Sequence, residues 1–154
     1  MHKEEVDICV VALSSPVLVG IYKENKLYKT IETSEKSSEI LPALFQDILK
    51  NYKVKRIFYA NGPGSFMAIK IAYVFLKSLS ILKKIPLFAI DAFYFNNMMP
   101  IKAIGKLYFV KIAGEIKMEK FPEIPISVFT LPEILEVDDF STNTTPLYSI
   151  GAVG

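Results

Sequence analysis

The chain has 154 residues, 51% of them apolar, with 18 Lys and Arg against 16 Asp and Glu. That length fits one compact domain, or one domain plus a small appendage, and the apolar share leaves a surplus beyond a core. The net charge of +2 argues neither for nor against nucleic acid, and a chain gripping RNA alone is expected to carry a denser basic patch.

Met1 to Glu5 runs straight into Val6 to Ala12, a stretch apolar except for Asp7, which predicts a buried strand. With no separate apolar leader ahead of it, a signal peptide is not expected. Cys9, the single cysteine, sits inside this strand as a structural thiol, and the cytoplasm is the natural compartment. Ser14-Ser15-Pro16 ends the strand, Val17 to Tyr22 makes a second, and Glu24-Asn25 turns into a third from Leu27 to Ile31. These three predict an antiparallel meander.

Ser34 to Ser38 is a polar helix entry, with Ser37 or Ser38 as the N-cap. The helix is expected from about Glu39 to Tyr52, carrying Ile40, Leu41, Leu44, Phe45, Ile48 and Leu49 at helical spacing. Pro42 fits because it lies in or beside the first turn. Arg56 to Ala60 is a short strand, and Asn61-Gly62-Pro63-Gly64-Ser65 is a sharp break. A long helix follows from about Ser65 to Lys83, then a strand from Pro86 to Ile90. Helices crossing between the later strands predict parallel pairing there. The most apolar stretch, Phe66 to Leu82, is broken by Lys70 and Lys77 and falls short of the roughly 18 residues of a membrane span.

Further on, Leu107 to Ile112 and Ile116 to Phe121 flank Ala113-Gly114-Glu115 as a hairpin. Pro122, Pro125, Pro132 and Pro146, with the polar stretch Ser141 to Thr145, predict an irregular, surface-bound tail with one helical turn around Leu131 to Leu135. The chain thus divides into a domain over 1–100 and a reduced hairpin and tail over 101–154.

The long helix carries an apolar surplus. Lys70, Lys77 and Lys84 form one narrow stripe, and most other positions are apolar. A helix lying on a sheet needs an apolar arc of little over 100°, and about twice that is present. Either the two helices pack on each other and on the tail, or both present an apolar face to a partner protein. The partner reading selects Leu41, Leu44, Phe45 and Ile48 on the first helix, and Ile69, Tyr73 and Leu76 on the second. A charge at Phe45 or Leu76 is then expected to break partner binding and leave a folded monomer.

Glycines at Gly62 and Gly64 allow positive φ and close backbone approach. The turn serves either as an anion site at a helix N-terminus or as a tight connection with Ser65 as N-cap. Its spacing is neither a P-loop nor a dinucleotide fingerprint. Asn61-Gly62-Pro63-Gly64-Ser65-Phe66, followed by Met67-Ala68-Ile69-Lys70, resembles the G-P-G-S-F-T-G-[LV]-R signature of the TsaB (YeaZ-like) family. Ser37-Ser38-Glu39-Ile40-Leu41-Pro42 resembles the family's H-S-E-x-L-[LM]-P helix start, and Lys84 to Ile90 its I-P-L-x-G-V strand. The likeness runs from about Val6 to Phe93.

The resemblance implies an α/β fold of the actin/Hsp70/sugar-kinase (ribonuclease H-like) type, a mixed sheet with an antiparallel meander and then helix crossovers, and a truncated second subdomain. It also implies a function. The family pairs with TsaD, a larger paralogue that binds metal and carries the transfer site. With the ATPase TsaE, they move a threonylcarbamoyl group onto an adenosine beside the tRNA anticodon. On that resemblance Gly62, Pro63, Gly64, Ser65 and Phe66 are the family turn motif, and the chain is a non-catalytic scaffold. It holds a TsaD-like paralogue through two helices from each subunit, meets tRNA only through the complex, and takes no cofactor or metal. The chain departs from the pattern at Ala12-Leu13-Ser14, where the family has D-T-S/T, and at Met67, Ala68 and Lys70, which replace Thr, Gly and Arg. Lys36 or Ser37 stands where the family has His.

Three other readings remain, one of them a degenerate kinase-like regulator that binds nucleotide without hydrolysis, against which Ala12-Leu13-Ser14 counts. A self-associating homodimer with a regulatory role needs only one self-complementary patch. An enzyme needs converging groups, but His2 is the single histidine, which leaves no His-based triad or zinc set. Asp91, at a strand end, is either a site group or the N-cap of Ala92-Phe93-Tyr94.

Overall fold

The structure, a computed structural model, describes residues 2–35, 37–123 and 128–147, without the side chains of Ser37 and Ser38. The helix N-cap expected at Ser37 or Ser38, and the position of Lys36, lie outside that description. Strand β1 (Glu4–Val11) is flanked by β2 (Val17–Lys23) on one side and β4 (Tyr52–Ala60) on the other. β3 (Lys26–Thr33) and β5 (Leu87–Ile90) complete a five-stranded sheet in the order β3-β2-β1-β4-β5. β1, β2 and β3 pair antiparallel, whereas β4 and β5 join in parallel. This is the predicted meander followed by crossovers. β4 begins four residues earlier than expected, because the bulge at Lys55 puts Lys55 and Arg56 in succession and interrupts the alternation that Tyr52 and Val54 begin.

Alternation along β1 explains the layers, since successive side chains point to opposite faces. Val6, Ile8 and Val10 face a core shared with α1 (Ser37–Asn51) and α2 (Phe66–Lys83). Cys9 and Val11, together with Leu13 just beyond the strand, face a second core. That core contains Phe93 and Phe95 from the 3-10 turn after β5, Ile101 and Phe109 from a second sheet, and Leu135 and Phe140 from the tail. The second sheet is β6 (Ile101–Ile104), β7 (Leu107–Ile112) and β8 (Glu115–Lys120), antiparallel throughout. The last two are the predicted hairpin; β6 is an addition that four residues with one buried side chain did not reveal.

The tail differs from the surface-bound segment that its prolines predict. Leu135 and Phe140 are buried, as are Thr144 and Pro146. The residues around Leu131 to Leu135 are extended, and the only turn of helix among the described tail residues is Val137–Asp139. Helical spacing misleads here because the backbone bonds go outward to the sheet. On β3, Leu27 N donates to Glu133 O of the tail (2.8 Å), and on β5 Ala89 exchanges both backbone bonds with Ser141 of the tail (2.9 and 2.7 Å). Buried backbone groups need partners, and these strands supply them.

Asp7, the polar interruption in β1, is 4% exposed and binds Arg56 of β4 through two bonds, 2.9 Å from Nε and 2.6 Å from Nη2. A bidentate geometry of this kind holds both charges, and it favours the charged guanidinium. Removing one partner strands the other in a poorly solvated site. Asp7→Ala should therefore cost about 2–4 kcal/mol in urea unfolding, and Asp7→Ala combined with Arg56→Met should recover part of that loss.

Candidate functional site

The glycine turn links β4 to α2 at the C-terminal end of the parallel strands. Gly62 has φ +114, a region that L side chains rarely adopt, and the Gly62–Pro63 peptide is cis. A Cβ on Gly62 would lie 3.0 Å from Ile69 Cδ1 and 3.2 Å from Leu147 O. Gly64 lies equally close to β1: its Cβ would meet Leu13 Cβ at 3.1 Å. Ser65 N donates to Leu13 O (3.1 Å), and the Ser65 side chain accepts from Ala68 N (3.4 Å), making Ser65 the N-cap of α2. Tail residues close the turn from outside, where Leu147 N donates to Asn61 O (2.8 Å) and Asn61 Nδ2 donates to Thr145 O (3.0 Å). The glycines serve close packing of strand, helix and tail.

In front of the turn lies a cleft of about 360 Å³ between the two sheets, lined by Leu13, Ser14, Gly64, Ser65, Ile101 and Tyr108, among others. The end of the first strand contributes Leu13 and Ser14 to it and no carboxylate. Asp91 is the N-cap: its Oδ1 accepts from Phe93 N (3.1 Å) and its Oδ2 lies 2.5 Å from Lys111 Nζ. Both oxygens are thus engaged in holding the 3-10 turn and the second sheet. Among the described residues no group of three His, Cys, Asp or Glu side chains converges in a way that could hold a metal ion. Cys9 is fully buried, and burial pushes its thiol well above the ordinary range. Among the described residues no helix is long and apolar enough to cross a membrane.

Of the seven residues assigned to a partner interface, five are in the core and cannot meet a partner. Leu41, Phe45 and Ile48 of α1 are at most 2% exposed, as are Ile69 and Leu76 of α2, and all five lie in the chain's own core. Leu44 and Tyr73 are half-buried against the helix-side core, where Tyr73 stacks on Tyr59. A charge at Phe45 or Leu76 would enter that core and unfold the chain rather than spare a monomer. The helices do pack on each other, with Phe45 meeting Phe75 edge-on at 5.6 Å. That contact absorbs part of the apolar surplus. The outer side of α1 is Pro42, Ala43, Gln46, Asp47 and Lys50, largely polar.

The remainder of the surplus stays outside on α2. Met67, Val74 and Ile81 recur every seven residues and are 59%, 55% and 67% exposed; Leu82 beside them is 78% exposed. Half-buried Ile71 lies on the same stripe. Sequence spacing missed these positions because the stripe facing the core, Ile69, Ala72 and Leu76, is equally apolar. Phe66, the last residue of the turn motif, is also more than half exposed at the start of α2.

The comparisons with known proteins bear on this architecture. Two solved structures from Pseudomonas aeruginosa share it: YeaZ, at TM-score 0.59 and 14% identity, and a protein described as uncharacterized with similarity to peptidase YeaZ, at TM-score 0.54 and 15% identity. Each alignment covers 76% of this chain, and 65% and 64% of the respective neighbours. The molecule is a mixed α/β protein of the actin/Hsp70/ribonuclease H-like class. A curated relative, the tRNA threonylcarbamoyladenosine biosynthesis protein TsaB of Buchnera aphidicola subsp. Schizaphis graminum, is 33% identical over 80 residues, 47% of this chain and 38% of the relative. Residues 29–100 also match the family model described as TsaD, tRNA N6-adenosine threonylcarbamoyltransferase. Over about half of its length the chain is thus similar in sequence to TsaB, and in fold to YeaZ. The chain spans less than two thirds of the length of each of these relatives.

Two outcomes follow from the packing of the turn. Gly62→Ala should destabilise the chain by about 2–3 kcal/mol in denaturant unfolding, because the new methyl combines a disfavoured φ with contacts at Ile69 and Leu147. Cys9 should react with a thiol reagent only as fast as the chain unfolds; rapid labelling of the native protein would contradict its burial.

Proposed function

We propose that this chain is a non-catalytic scaffold subunit in the biosynthesis of threonylcarbamoyladenosine in tRNA. It binds a larger TsaD-like paralogue through the outer face of α2. The observation that carries the reading is the stripe Met67, Val74, Ile81 and Leu82, an apolar face interrupted by Ser78 alone and left uncovered by the chain's own core. Supporting the choice of partner is the match of residues 29–100 to the transferase family model, since that segment holds α1, β4 and α2. A paralogue built on the same segment presents a comparable helix pair, and two such pairs form a small bundle.

Each of these four side chains contributes about 1–2 kcal/mol when covered, given its present exposure. Association entropy offsets much of the sum, and the surplus still sustains a specific dimer. A TsaE-like ATPase joins the assembly in this reading, and the chemistry is carried by the larger subunit. The absence of a carboxylate at Leu13-Ser14 and the engagement of both Asp91 oxygens support a non-catalytic role for this chain.

Size-exclusion chromatography with light scattering, on the chain alone and mixed with a TsaD-like paralogue of the same organism, tests the reading. A new peak at the heterodimer mass is the expected result. Met67→Glu combined with Val74→Glu should keep the circular dichroism and the melting temperature and weaken the complex by about 100-fold or more. Phe45→Glu should lose the fold itself. A homodimer that ignores the paralogue would instead favour the self-associating alternative.

A further inference from the structure

The even charge balance of the sequence conceals a local concentration. At the end of the sheet opposite the glycine turn, an open groove of about 770 Å³ is lined by Lys3, Lys53, Lys55, Lys83 and Lys84 against one carboxylate, Glu5. Among the described residues none of these five lysines is ion-paired; the ion pairs present involve Lys23, Arg56, Lys111 and Lys117. Lys3 is partly occupied, donating to Leu49 O at the end of α1 (2.9 Å). The half-buried ring of Tyr52 lies among the lysines.

Two backbone irregularities fall on residues of this groove. The β1–β4 ladder pairs Val6 with Val54 and Asp7 with Arg56, so Lys55 is an extra, bulged residue. Bulges re-aim a side chain that regular pairing would direct elsewhere. Lys84 closes α2 in the left-handed region, at φ 56 and ψ 44, where glycine is the favoured residue. Both departures bring an unpaired cation to the same groove. Lys83 and Lys84 also face the negative end of the α2 dipole, but that role needs no bulge on β4.

We propose that this groove is a contact site for the phosphate backbone of RNA, with Tyr52 offering a stacking surface for a base. Unpaired cations in a groove with an interleaved aromatic are the means by which proteins hold single-stranded or looped nucleic acid. The choice of RNA rests on the tRNA role proposed above, and it departs from the expectation that the chain meets tRNA only through the complex. An anionic membrane surface is less well matched, because no exposed large apolar side chain lines the groove. The site lies away from the α2 stripe, leaving the paralogue and the RNA to engage different surfaces.

The test uses the full chain alone and a fluorescein-labelled tRNA transcript, followed by anisotropy across a salt series. Expected is weak binding whose logarithm falls with the logarithm of salt at a slope near −3, about 0.7–0.9 per phosphate neutralised. Lys53→Gln with Lys55→Gln should weaken binding by about tenfold and reduce the slope by about 1.6. Lys84→Gly separates a binding role from a structural one: relief of the left-handed backbone should raise the melting temperature by about 2–4 °C while RNA binding weakens. Lys106→Gln and Lys117→Gln, outside the groove, should change neither. Groove variants that bind like the parent chain, no binding of tRNA at low salt, or binding to phosphatidylserine vesicles in place of tRNA would each overturn the proposal. Failure to form the heterodimer bears on the scaffold reading alone, because the RNA measurement contains no second protein.

Discussion

A central strand that is apolar on both faces imposes the organisation of this molecule. β1 alternates Val6, Ile8 and Val10 with Cys9 and Val11, and all five are buried. Such a strand needs a cover on each side. α1 and α2 supply one; the second sheet, the 3-10 turn and the tail supply the other. Once both faces are covered from within the chain, only the outer sides of the covers and the strand ends are left for other molecules. The apolar stripe of α2 lies on the first kind of surface, and the lysine groove and the glycine-turn cleft on the second.

The same constraint explains what was legible in the sequence. The meander followed by crossovers came from apolar runs, turn residues and the length of the intervening helices, all local signals. The glycine turn was legible because positive φ and close approach restrict residue type strongly. Which side of a helix faces the sheet was not legible. On α2 the core stripe through Ile69, Ala72 and Leu76 and the exposed stripe through Met67, Val74 and Ile81 are both apolar, so periodicity has no contrast to report. On α1 the six apolar positions divide into a buried set, Leu41, Phe45 and Ile48, and a half-buried set, Ile40, Leu44 and Leu49, a distinction made by the neighbouring helix.

Charge was less legible still. Net charge and spacing along the chain place Lys3, Lys53, Lys55, Lys83 and Lys84 in three separate segments. Their convergence depends on the parallel β1–β4 pairing, on the bulge at Lys55, and on α2 running back antiparallel to the strands. No window of sequence contains that geometry. The Asp7–Arg56 pair is a similar case: the carboxylate stands out within an apolar strand, but its partner is fixed only by the register of β4.

The tail described above has a consequence for the sheet's behaviour in crowded solution. Open sheet edges are templates for pairing with another chain, and globular proteins protect them by covering, charge or distortion. Here one segment reaches both edges: Glu133 and Ile134 meet β3 at Leu27 and Lys26, and Ser141 meets β5 at Ala89. β3 adds its own lysines, Lys26 and Lys29, to the uncovered remainder. A stretch rich in proline, which looks dispensable as sequence, thus acts as a clasp against edge-to-edge aggregation. It lets a strongly apolar chain keep the α2 stripe exposed without also offering its strands to every neighbour.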